Sequence, residues 1–470
     1  MSYILQHQRG TALRVNQRFI SSRSYLRSRK RRTIHEEMEH HVHQSVLIPK
    51  VKPFSILDHK FFVSTLPGLE PILRQELTSL GIATIEDNDC CSNGGIHIKL
   101  KSLEELYRCH LYLGSSSHIF LRVHDGFEAK GMEELVRKVS KLVVWRQLIP
   151  FQVDDMSLHF NIKVSAKESK LYHTTGIAQR VERGIRIALG MDENKNVNTR
   201  KDTPVKSIPI LVRIRNNQVQ ISLDTSISPM HKRGYRLQTA KAPLREDIAF
   251  ALLYSLGWKD NSMDTRPVLV DPLCGSGTIL IEGAAMFFNL PPGRYRDPPM
   301  AYTLIGDTVL WNKMVQVATT EAQQNIQEYL ENNKSAPLAF GSDRDAGAID
   351  IATSNISRAG LSDVIQVKNY SISSNPWLND ESSMQHQIFL VTNPPYGVRV
   401  SRSKSRDRIR SLLPLYQTIG NIVNNRDNIH LGMMVHDILL ARKTGVKNGK
   451  SLFTTKHGGL TVSAIKFKNK

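Results

Sequence analysis

Residues 268–284, VLVDPLCGSGTILIEGA, carry the pattern from which the fold is predicted. This stretch joins an apolar segment ending at Asp271 to a turn that contains Gly275 and Gly277, and then to a second apolar segment. Because glycines permit a tight turn and a close approach of backbone to ligand, we predict a buried strand, a ligand-binding turn and a helix that begins near Thr278. The spacing differs from the dinucleotide fingerprint and from the P-loop. A carboxylate before the turn suits a ligand that carries a cation, such as the amino acid end of S-adenosylmethionine.

Strand and helix patterns alternate on both sides of this stretch. Helical periodicity covers APLREDIAFALLYSLGW and DAGAIDIATSNISRAG, while LAFGSD, VIQVKN and QIFLVT are typical of buried strands. Such alternation implies parallel pairing, so we predict a doubly wound, Rossmann-like α/β sheet for residues 226–470. A longer insertion between the first two units carries a Pro-rich loop and a further helix.

Polar residues follow the predicted strands at the edge where such sheets bind ligands. Asp343 follows the second strand, and its carboxylate can accept hydrogen bonds from both hydroxyls of a ribose. An alternative is that Asp343 or Asp345 caps the next helix. Asn369 follows the third strand and would lie beside the base of a nucleoside cofactor, where its amide can donate and accept.

The fourth strand ends in TNPPY, residues 392–396. Asn393 Oδ1 and the carbonyl oxygen of Pro394 can both accept hydrogen bonds from one exocyclic NH2 group. Pro394 and Pro395 hold the segment in one conformation, and Tyr396 offers a face on which a base can stack. Methyl transfer from a sulfonium to such a nitrogen requires alignment more than a strong base. The sequence therefore predicts methylation of an unstacked nucleobase, with no requirement for a metal or a nucleophilic side chain.

The length and charge of the chain limit its domain number and its class of partner. Its 470 residues exceed what one core usually supports, which predicts two or three domains. The formal charge of +20 favours a nucleic acid partner over simple solubility or targeting effects. No apolar run reaches the length of a membrane span. The cysteines have no C-x-x-C spacing, which predicts a reducing compartment and no zinc site: Cys90, Cys91, Cys109 and Cys274.

The amino-terminal extension, residues 1–45, is kept outside the fold. Between Met1 and His35 there is no Asp or Glu, and the segment is rich in Arg and Ser. This composition predicts an organelle transit peptide, mitochondrial or plastid. The alternative is a disordered basic tail that contacts RNA or directs nuclear import, with a cytoplasmic or nuclear location.

Residues 55–225 mix strands and helices, which predicts an α+β module with a hairpin turn at Asn216-Asn217. Basic residues are dense in this module, and they form either a solvated face or an RNA-facing surface. They are Lys163, Lys167, Lys170, Arg180, Arg183, Arg186, Arg200 and Lys201.

Several of these motifs resemble those of a known family. DPLCGSGT, GSD and TNPPYG resemble the amino-methyltransferase motifs of the UPF0020 RNA methylase family, and DTSISPMHKRGYRLQTAKAPLRE resembles the segment that precedes its catalytic domain. The region upstream is similar to the family's THUMP RNA-binding module with its ferredoxin-like lead-in. The resemblance covers roughly residues 60–470 and is strongest to the guanine-N2 methylating half of the bacterial large-subunit rRNA methyltransferase.

The resemblance implies S-adenosylmethionine as cofactor and RNA as partner. The residues implied are Asp271, Gly275, Gly277, Thr278, Asp343 and Asn369 for cofactor binding, and Asn393, Pro394, Pro395 and Tyr396 for the target amine. Many relatives carry Asp where Asn369 stands, so adenine recognition is expected either to be weaker here or to use the amide oxygen. The second methyltransferase half of the bacterial enzyme is not represented, so we expect no coupled second activity.

Three functions stay open from the sequence. The first is RNA guanine-N2 methylation, with rRNA favoured and tRNA next. The second is adenine-N6 methylation of RNA or DNA, because the Asn-Pro-Pro-Tyr segment serves any exocyclic amine. The third is an RNA-binding assembly factor without turnover, which the intact glycine turn and Asn-Pro-Pro-Tyr segment disfavour. The oligomeric state is left open.

Overall fold

The computed structural model describes most of the chain after residue 53. The described ranges are 54–85, 94–150, 158–191, 206–238, 243–260, 267–334, 336–379, 386–396 and 405–467. The predicted amino-terminal extension, Cys90, Cys91, Arg200 and Lys201 lie outside them. Among the described residues, no helix combines the length and the apolar character that crossing a bilayer requires.

The first half of the chain forms one mixed sheet with helices. Its strands are β1 (Phe61–Thr65), β2 (Ala83–Thr84), β3 (Gly95–Lys99), β4 (Ser116–Glu128), β5 (Leu158–Lys167), β6 (Lys206–Arg215) and β7 (Gln218–Asp224). Its helices are α1 (Glu70–Ser79), α2 (Leu103–Tyr112), α3 (Met132–Leu142), α4 (Trp145–Leu148) and α5 (Thr174–Leu189). The seven strands follow the order β2-β3-β1-β4-β7-β6-β5, in which β5 and β6 pair in parallel. The predicted α+β arrangement is confirmed.

Two local features of this sheet follow from single residues. Asn216 and Asn217 both have positive φ, 50° and 62°, which is the conformation of the tight hairpin turn predicted between β6 and β7. Strand β4 is not among the predicted strands. Its pairing with β7 shifts register around His124 and Phe127, so these bulges interrupt the alternation of buried and exposed residues by which strands are recognised.

The second half of the chain forms the predicted doubly wound sheet. Its strands are β8 (Val268–Asp271), β9 (Ala339–Ser342), β10 (Ile365–Lys368), β11 (Ile388–Thr392), β12 (Ile429–Val435), β13 (Gly449–His457) and β14 (Leu460–Phe467). Its helices are α6 (Glu246–Ser255), α7 (Thr278–Phe287), α8 (Thr308–Asn332), α9 (Ala346–Arg358), α10 (Pro376–Asn379), α11 (Ser405–Asn424) and α12 (Ile438–Arg442). Short 3-10 turns occur at Ile56–Asp58, Trp258–Asp260 and Ile372–Ser374.

The strand order of the second sheet is β10-β9-β8-β11-β12-β14-β13. The run from β10 to β12 is parallel, and β14 joins β12 antiparallel. Leu269 packs into a core on one face, whereas Val268 and Val270 pack into a core on the other. Both faces are therefore covered, which explains why the parallel strands read as continuous apolar runs. The carboxyl-terminal hairpin of β13 and β14 is not among the predicted elements.

A buried ion pair connects the two sheets. Arg233, 1% exposed, donates to the carbonyl oxygens of Gly114 (2.5 Å) and Met230 (2.7 Å), and its Nη2 lies 3.5 Å from Oε2 of Glu282 in α7. The hydroxyl of Tyr235 donates to the other oxygen of Glu282 at 3.0 Å. Gly114 lies just before β4, so one guanidinium holds the first sheet against the helix that follows the glycine turn.

Replacing Arg233 with Ala is expected to lower the free energy of unfolding by about 3–5 kcal/mol, because the carboxylate of Glu282 would stay buried without its partner. Arg215→Ala is the control. Arg215 is 76% exposed and lies 3.6 Å from Glu168, so its loss should change stability by less than about 1 kcal/mol. Urea unfolding of the two variants checks this, and equal midpoints would contradict the structural role of Arg233.

Candidate active site

The predicted site residues meet at one edge of the second sheet. Asp271 is the last residue of β8, and Asp343, Asn369 and Asn393 follow the ends of β9, β10 and β11. These four strands run parallel, so their carboxyl ends lie side by side. The structure thus brings together side chains that are up to 122 residues apart in the sequence.

The glycine turn adopts the predicted conformation. Gly275 and Gly277 have φ values of 51° and 81°, in the left-handed region that favours glycine. Gly277 is the N-cap of α7, and Thr278 is its first residue, as predicted. A Cβ on Gly277 would lie 3.4 Å from the Cβ of Ala352 in α9, so the turn is packed closely against that helix. The first amides of α7 have no acceptor within the helix and provide a place for an anionic group.

Asp271 is buried and hydrogen-bonded through one oxygen. Its Oδ1 accepts from the hydroxyl of Thr392 (2.8 Å) and the amide of Leu273 (3.1 Å). Burial, with a smaller contribution from the nearby carboxylate of Asp343, raises the pKa of Asp271 to about 7, although the two hydrogen bonds act to lower it. Within the described ranges no donor contacts Oδ2, so this oxygen can accept from a cationic ligand group. Thr392 is a functional residue that sequence reasoning missed, although it directly precedes Asn393.

The alternative in which Asp343 caps a helix is wrong. Asp345 is the N-cap of α9 and accepts from the amide of Gly347 at 3.0 Å. The two oxygens of Asp343 instead accept from the amides of Gly275 (3.1 Å) and Asp345 (3.0 Å). These bonds hold the carboxylate against the glycine turn, and each oxygen keeps a further lone pair. Ribose binding by Asp343 stays a prediction, and the position and free lone pairs of the carboxylate are compatible with it.

Asn369 is oriented by a single hydrogen bond. Its Nδ2 donates to the backbone oxygen of Asp343 at 2.8 Å. The amide oxygen therefore stays available as an acceptor at the exposed edge. This orientation is compatible with the expectation that Asn369 receives a base amino group through its oxygen.

The Asn-Pro-Pro-Tyr segment is held by a contact within itself. The hydroxyl of Tyr396 donates to Oδ1 of Asn393 at 2.5 Å, while Pro394 is buried and Pro395 is exposed. Burial raises the pKa of Tyr396, so its hydroxyl stays neutral and can donate. Tyr396 was predicted only as a stacking surface; its hydroxyl also fixes the rotamer of Asn393. The amide oxygen keeps one lone pair for an incoming amine.

A further polar segment lies beside this one. Strand β12 runs parallel to β11 with Met433 opposite Thr392, so the residues after β12 reach the same edge. His436 is exposed there, with its ring centroid 6.4 Å from that of Tyr396. Asp437 accepts from the amide of Leu439 and caps α12. The signal that could have found them is a polar pair directly after the apolar run LGMMV.

The basic residues of the first sheet do not form one surface. Arg186 is buried and pairs with Glu182 at 2.7 Å, so its predicted place on an RNA-facing surface is wrong. Arg186 also lies over the ring of Phe160, on the face of β5 that packs against α5. Lys163 and Lys167 are exposed and alternate with Phe160 along β5, so they lie on the opposite face.

Two further contacts complete the placement of the basic residues. Arg180 and Arg183 both contact Glu133, at 3.6 and 3.1 Å. Lys170 is exposed beyond the end of β5. Lys163, Lys167 and Lys170 are thus the predicted basic residues that the structure shows to be exposed and for which no carboxylate partner is described.

The residues at this edge fit S-adenosylmethionine. A buried carboxylate with an available oxygen, a glycine turn at a helix N-terminus, and an acceptor pair at Asp343 and Asn369 match its cationic end, its carboxylate and its nucleoside. Among the described residues no group of three His, Cys, Asp or Glu side chains could hold a metal ion.

Comparisons with known proteins show similarity to methyltransferases. Residues 233–437 match the family model described as UPF0020, RMKL-like, methyltransferase domain. The chain is 30% identical over 392 residues to the ribosomal RNA large subunit methyltransferase K/L of Methylococcus capsulatus, a match that covers 83% of this chain and 48% of that protein. The chain thus spans about half the length of the curated K/L relatives that it matches.

Two more relatives match over nearly their whole length. A putative RNA methyltransferase of Synechocystis is 27% identical over 426 residues, which cover 89% of this chain and 99% of that protein. The crystal structure of a putative methyltransferase complexed with SAH aligns with a TM-score of 0.70 at 23% identity, and covers 88% of this chain and 98% of that chain. This likeness shows that the fold is the α/β methyltransferase fold.

Asp271→Asn is expected to stabilise the protein without ligand and to weaken cofactor binding. The carboxyl has a pKa of about 7 when folded and 3.8 ordinarily, so wild-type stability falls as the pH rises from about 4 to about 7 and stays lower above that. The Asn variant lacks this ionisation, so its melting temperature should exceed that of the wild type at pH 8 and approach it at pH 4. Scanning calorimetry at both pH values, with the exposed Asp350→Asn as control, measures this. An equal difference at the two pH values would contradict it.

Proposed function

We propose that the chain transfers a methyl group from S-adenosylmethionine to the exocyclic N2 amine of a guanine in RNA. The match of residues 233–437 to the UPF0020 methyltransferase family model supports the methyltransferase chemistry. The similarity to ribosomal RNA large subunit methyltransferases supports rRNA as the substrate, ahead of tRNA. The formal charge of +20 and the exposed Lys163 and Lys167 support binding of a polyanion.

One observation carries the proposal. The hydrogen bond between Thr392 and Asp271 joins the ends of β8 and β11, so the predicted cofactor turn and the predicted amine acceptors lie on neighbouring strands. A methyl group held at one strand end and a nucleophile held at the other are thereby placed for in-line transfer.

The cofactor side is assigned residue by residue. S-adenosylmethionine supplies a methyl group activated by its sulfonium charge. Oδ2 of Asp271 accepts from the cationic end of the cofactor, and the first amides of α7 receive its carboxylate. Asp343 accepts from the ribose hydroxyls, and the amide oxygen of Asn369 accepts from the adenine amino group.

The acceptor side positions the target amine. Asn393 Oδ1 and the carbonyl oxygen of Pro394 accept from the two N–H groups of the amine and direct its lone pair towards the methyl group. The ring of Tyr396 stacks on the base, a contact that contributes about 1–3 kcal/mol, while its hydroxyl holds Asn393. The base has to be unstacked before its amine can reach this position.

Mapping RNA modifications in cells that lack the protein tests the proposal. We expect one N2-methylguanosine to be missing from rRNA and to return with the wild-type gene but not with Asn393→Ala. Loss of a methylguanosine from tRNA alone would change the substrate and keep the chemistry. Loss of a methyladenosine with every methylguanosine retained would overturn the proposal, and an unchanged methylation map would favour an assembly factor.

Substitutions in the Asn-Pro-Pro-Tyr segment should separate its two functions. Asn393→Ala and Tyr396→Ala are expected to lower turnover by about a hundredfold or more, because the amine loses its acceptor or its base loses its stacking surface. Tyr396→Phe keeps the ring and loses only the bond to Asn393, so a loss of about tenfold is expected.

The readouts are methyl transfer to rRNA and titration calorimetry with S-adenosylhomocysteine, whose affinity should stay close to that of the wild type in all three variants. Asn421→Ala, an exposed position in α11, is the matched control. A full rate in Asn393→Ala would remove the proposed role of this segment.

A further inference from the structure

His436 lies beside the proposed amine site but has no role in the chemistry proposed above. It follows β12, the parallel neighbour of β11, and its side chain is exposed at the edge where the Asn-Pro-Pro-Tyr segment lies. Its ring is 6.4 Å from the ring of Tyr396, centroid to centroid, with an angle of 50° between the planes. A base stacked on Tyr396 would therefore present an edge within reach of the imidazole.

A neighbouring strand selects the tautomer of the neutral imidazole. Nδ1 of His436 lies 2.7 Å from the backbone oxygen of Thr461, the second residue of β14. A carbonyl oxygen only accepts, so Nδ1 carries the proton and Nε2 of the neutral ring is an acceptor. In the part of the chain that the structure describes, no other group contacts Nε2. The pairing of Val435 with Ser463 holds the two strands in this register.

An acceptor at this place distinguishes the two candidate bases. In guanine the N2 amine is attached next to N1, which carries a hydrogen and donates. In adenine the N6 amine is also next to N1, but that nitrogen has no hydrogen and accepts. An acceptor beside the amine site therefore attracts guanine, whereas it faces the lone pair of adenine.

We propose that His436 is the residue that selects guanine, and that its Nε2 accepts a hydrogen bond from N1–H of the target base. The inference rests on the guanine-N2 activity proposed above and adds the group that reads the base. Asp437 is not assigned this role because its Oδ1 accepts from Leu439 and caps α12.

The test uses the RNA that the protein methylates, transcribed without modification. A second version carries 2-aminopurine at the target position, introduced by ligation. This base keeps the N2 amine and has no hydrogen on N1. Wild-type protein should methylate the guanine RNA about 10- to 100-fold faster, which corresponds to the loss of a hydrogen bond in a site built to make it.

His436→Ala should lower the rate on guanine RNA by about tenfold and leave the rate on 2-aminopurine RNA close to that of the wild type. The ratio of the two rates then falls, and this change in ratio isolates the contact between His436 and N1–H from any effect of the missing O6. A general structural defect would lower both rates equally. His436→Gln, which keeps an acceptor oxygen, should recover part of the ratio.

Asp437→Asn is the matched control, because it keeps a capping oxygen at the adjacent residue and should leave the ratio unchanged. A wild-type ratio in both His436 variants, or a ratio that falls in Asp437→Asn instead, would overturn the inference. The proposed function has a separate outcome: formation of N2-methylguanosine with no change in ratio refutes only the role of His436. Absence of N2-methylguanosine with wild-type protein refutes the proposed function itself.

Discussion

The buried hydrogen bond from Thr392 to Asp271 is the contact on which the site depends. It joins the last residues of β8 and β11, two parallel strands that pair in register but belong to different parts of the sequence. One strand leads into the glycine turn and the other into the Asn-Pro-Pro-Tyr segment. Because both side chains are buried, the geometry of this bond is well defined, and the distance between the two strand ends is fixed before any ligand binds. Two loops without this connection would have to be ordered at the time of binding.

The buried carboxyl group of Asp271 lowers the stability of the protein without ligand. Burial raises the pKa of Asp271 to about 7, so its ionised form is disfavoured in the protein without ligand. A cationic ligand reverses that preference, since it supplies the partner that the buried carboxylate lacks. The same residue thus weakens the empty fold and strengthens the occupied one, which is the usual relation between stability and function at a binding site.

The ion pair of Arg233 and Glu282 has a different role, which is to orient the first sheet. Glu282 lies on α7, one turn after the residues that open the cofactor site, and Arg233 also binds the carbonyl oxygen of Gly114 beside the first sheet. Both charges are buried and neither lies at the ligand edge. Replacing such a pair with apolar residues often leaves stability unchanged. Its value here is positional, because hydrogen bonds in several directions allow only one orientation of the first sheet against α7.

The sequence predicted most of what depends on local pattern and little of what depends on distant partners. The hairpin at Asn216-Asn217, the glycine turn and the parallel strands follow from residue types at short spacing. The bond from Tyr396 to Asn393 and the burial of Arg186 depend on packing that periodicity does not report. Strands β12 to β14 are not predicted from the sequence. Among the described residues, β12 is the only neighbour on the side of β11 opposite β8 that leads to a polar side chain beside the amine site.

The unpredicted strand β12 matters for the choice between guanine and adenine. In the proposed reaction Asn393 and Pro394 accept hydrogen bonds from the amine and do not contact the ring that carries it. The Asn-Pro-Pro-Tyr acceptors alone therefore do not distinguish guanine from adenine. The information has to come from a group beside the amine, and β12 is the strand that can deliver it. His436, the residue after this strand, is held by Thr461 in the tautomer that accepts through Nε2. Base selection would then be set by a backbone carbonyl of β14, which never approaches the substrate and acts only through the proton it holds on the imidazole.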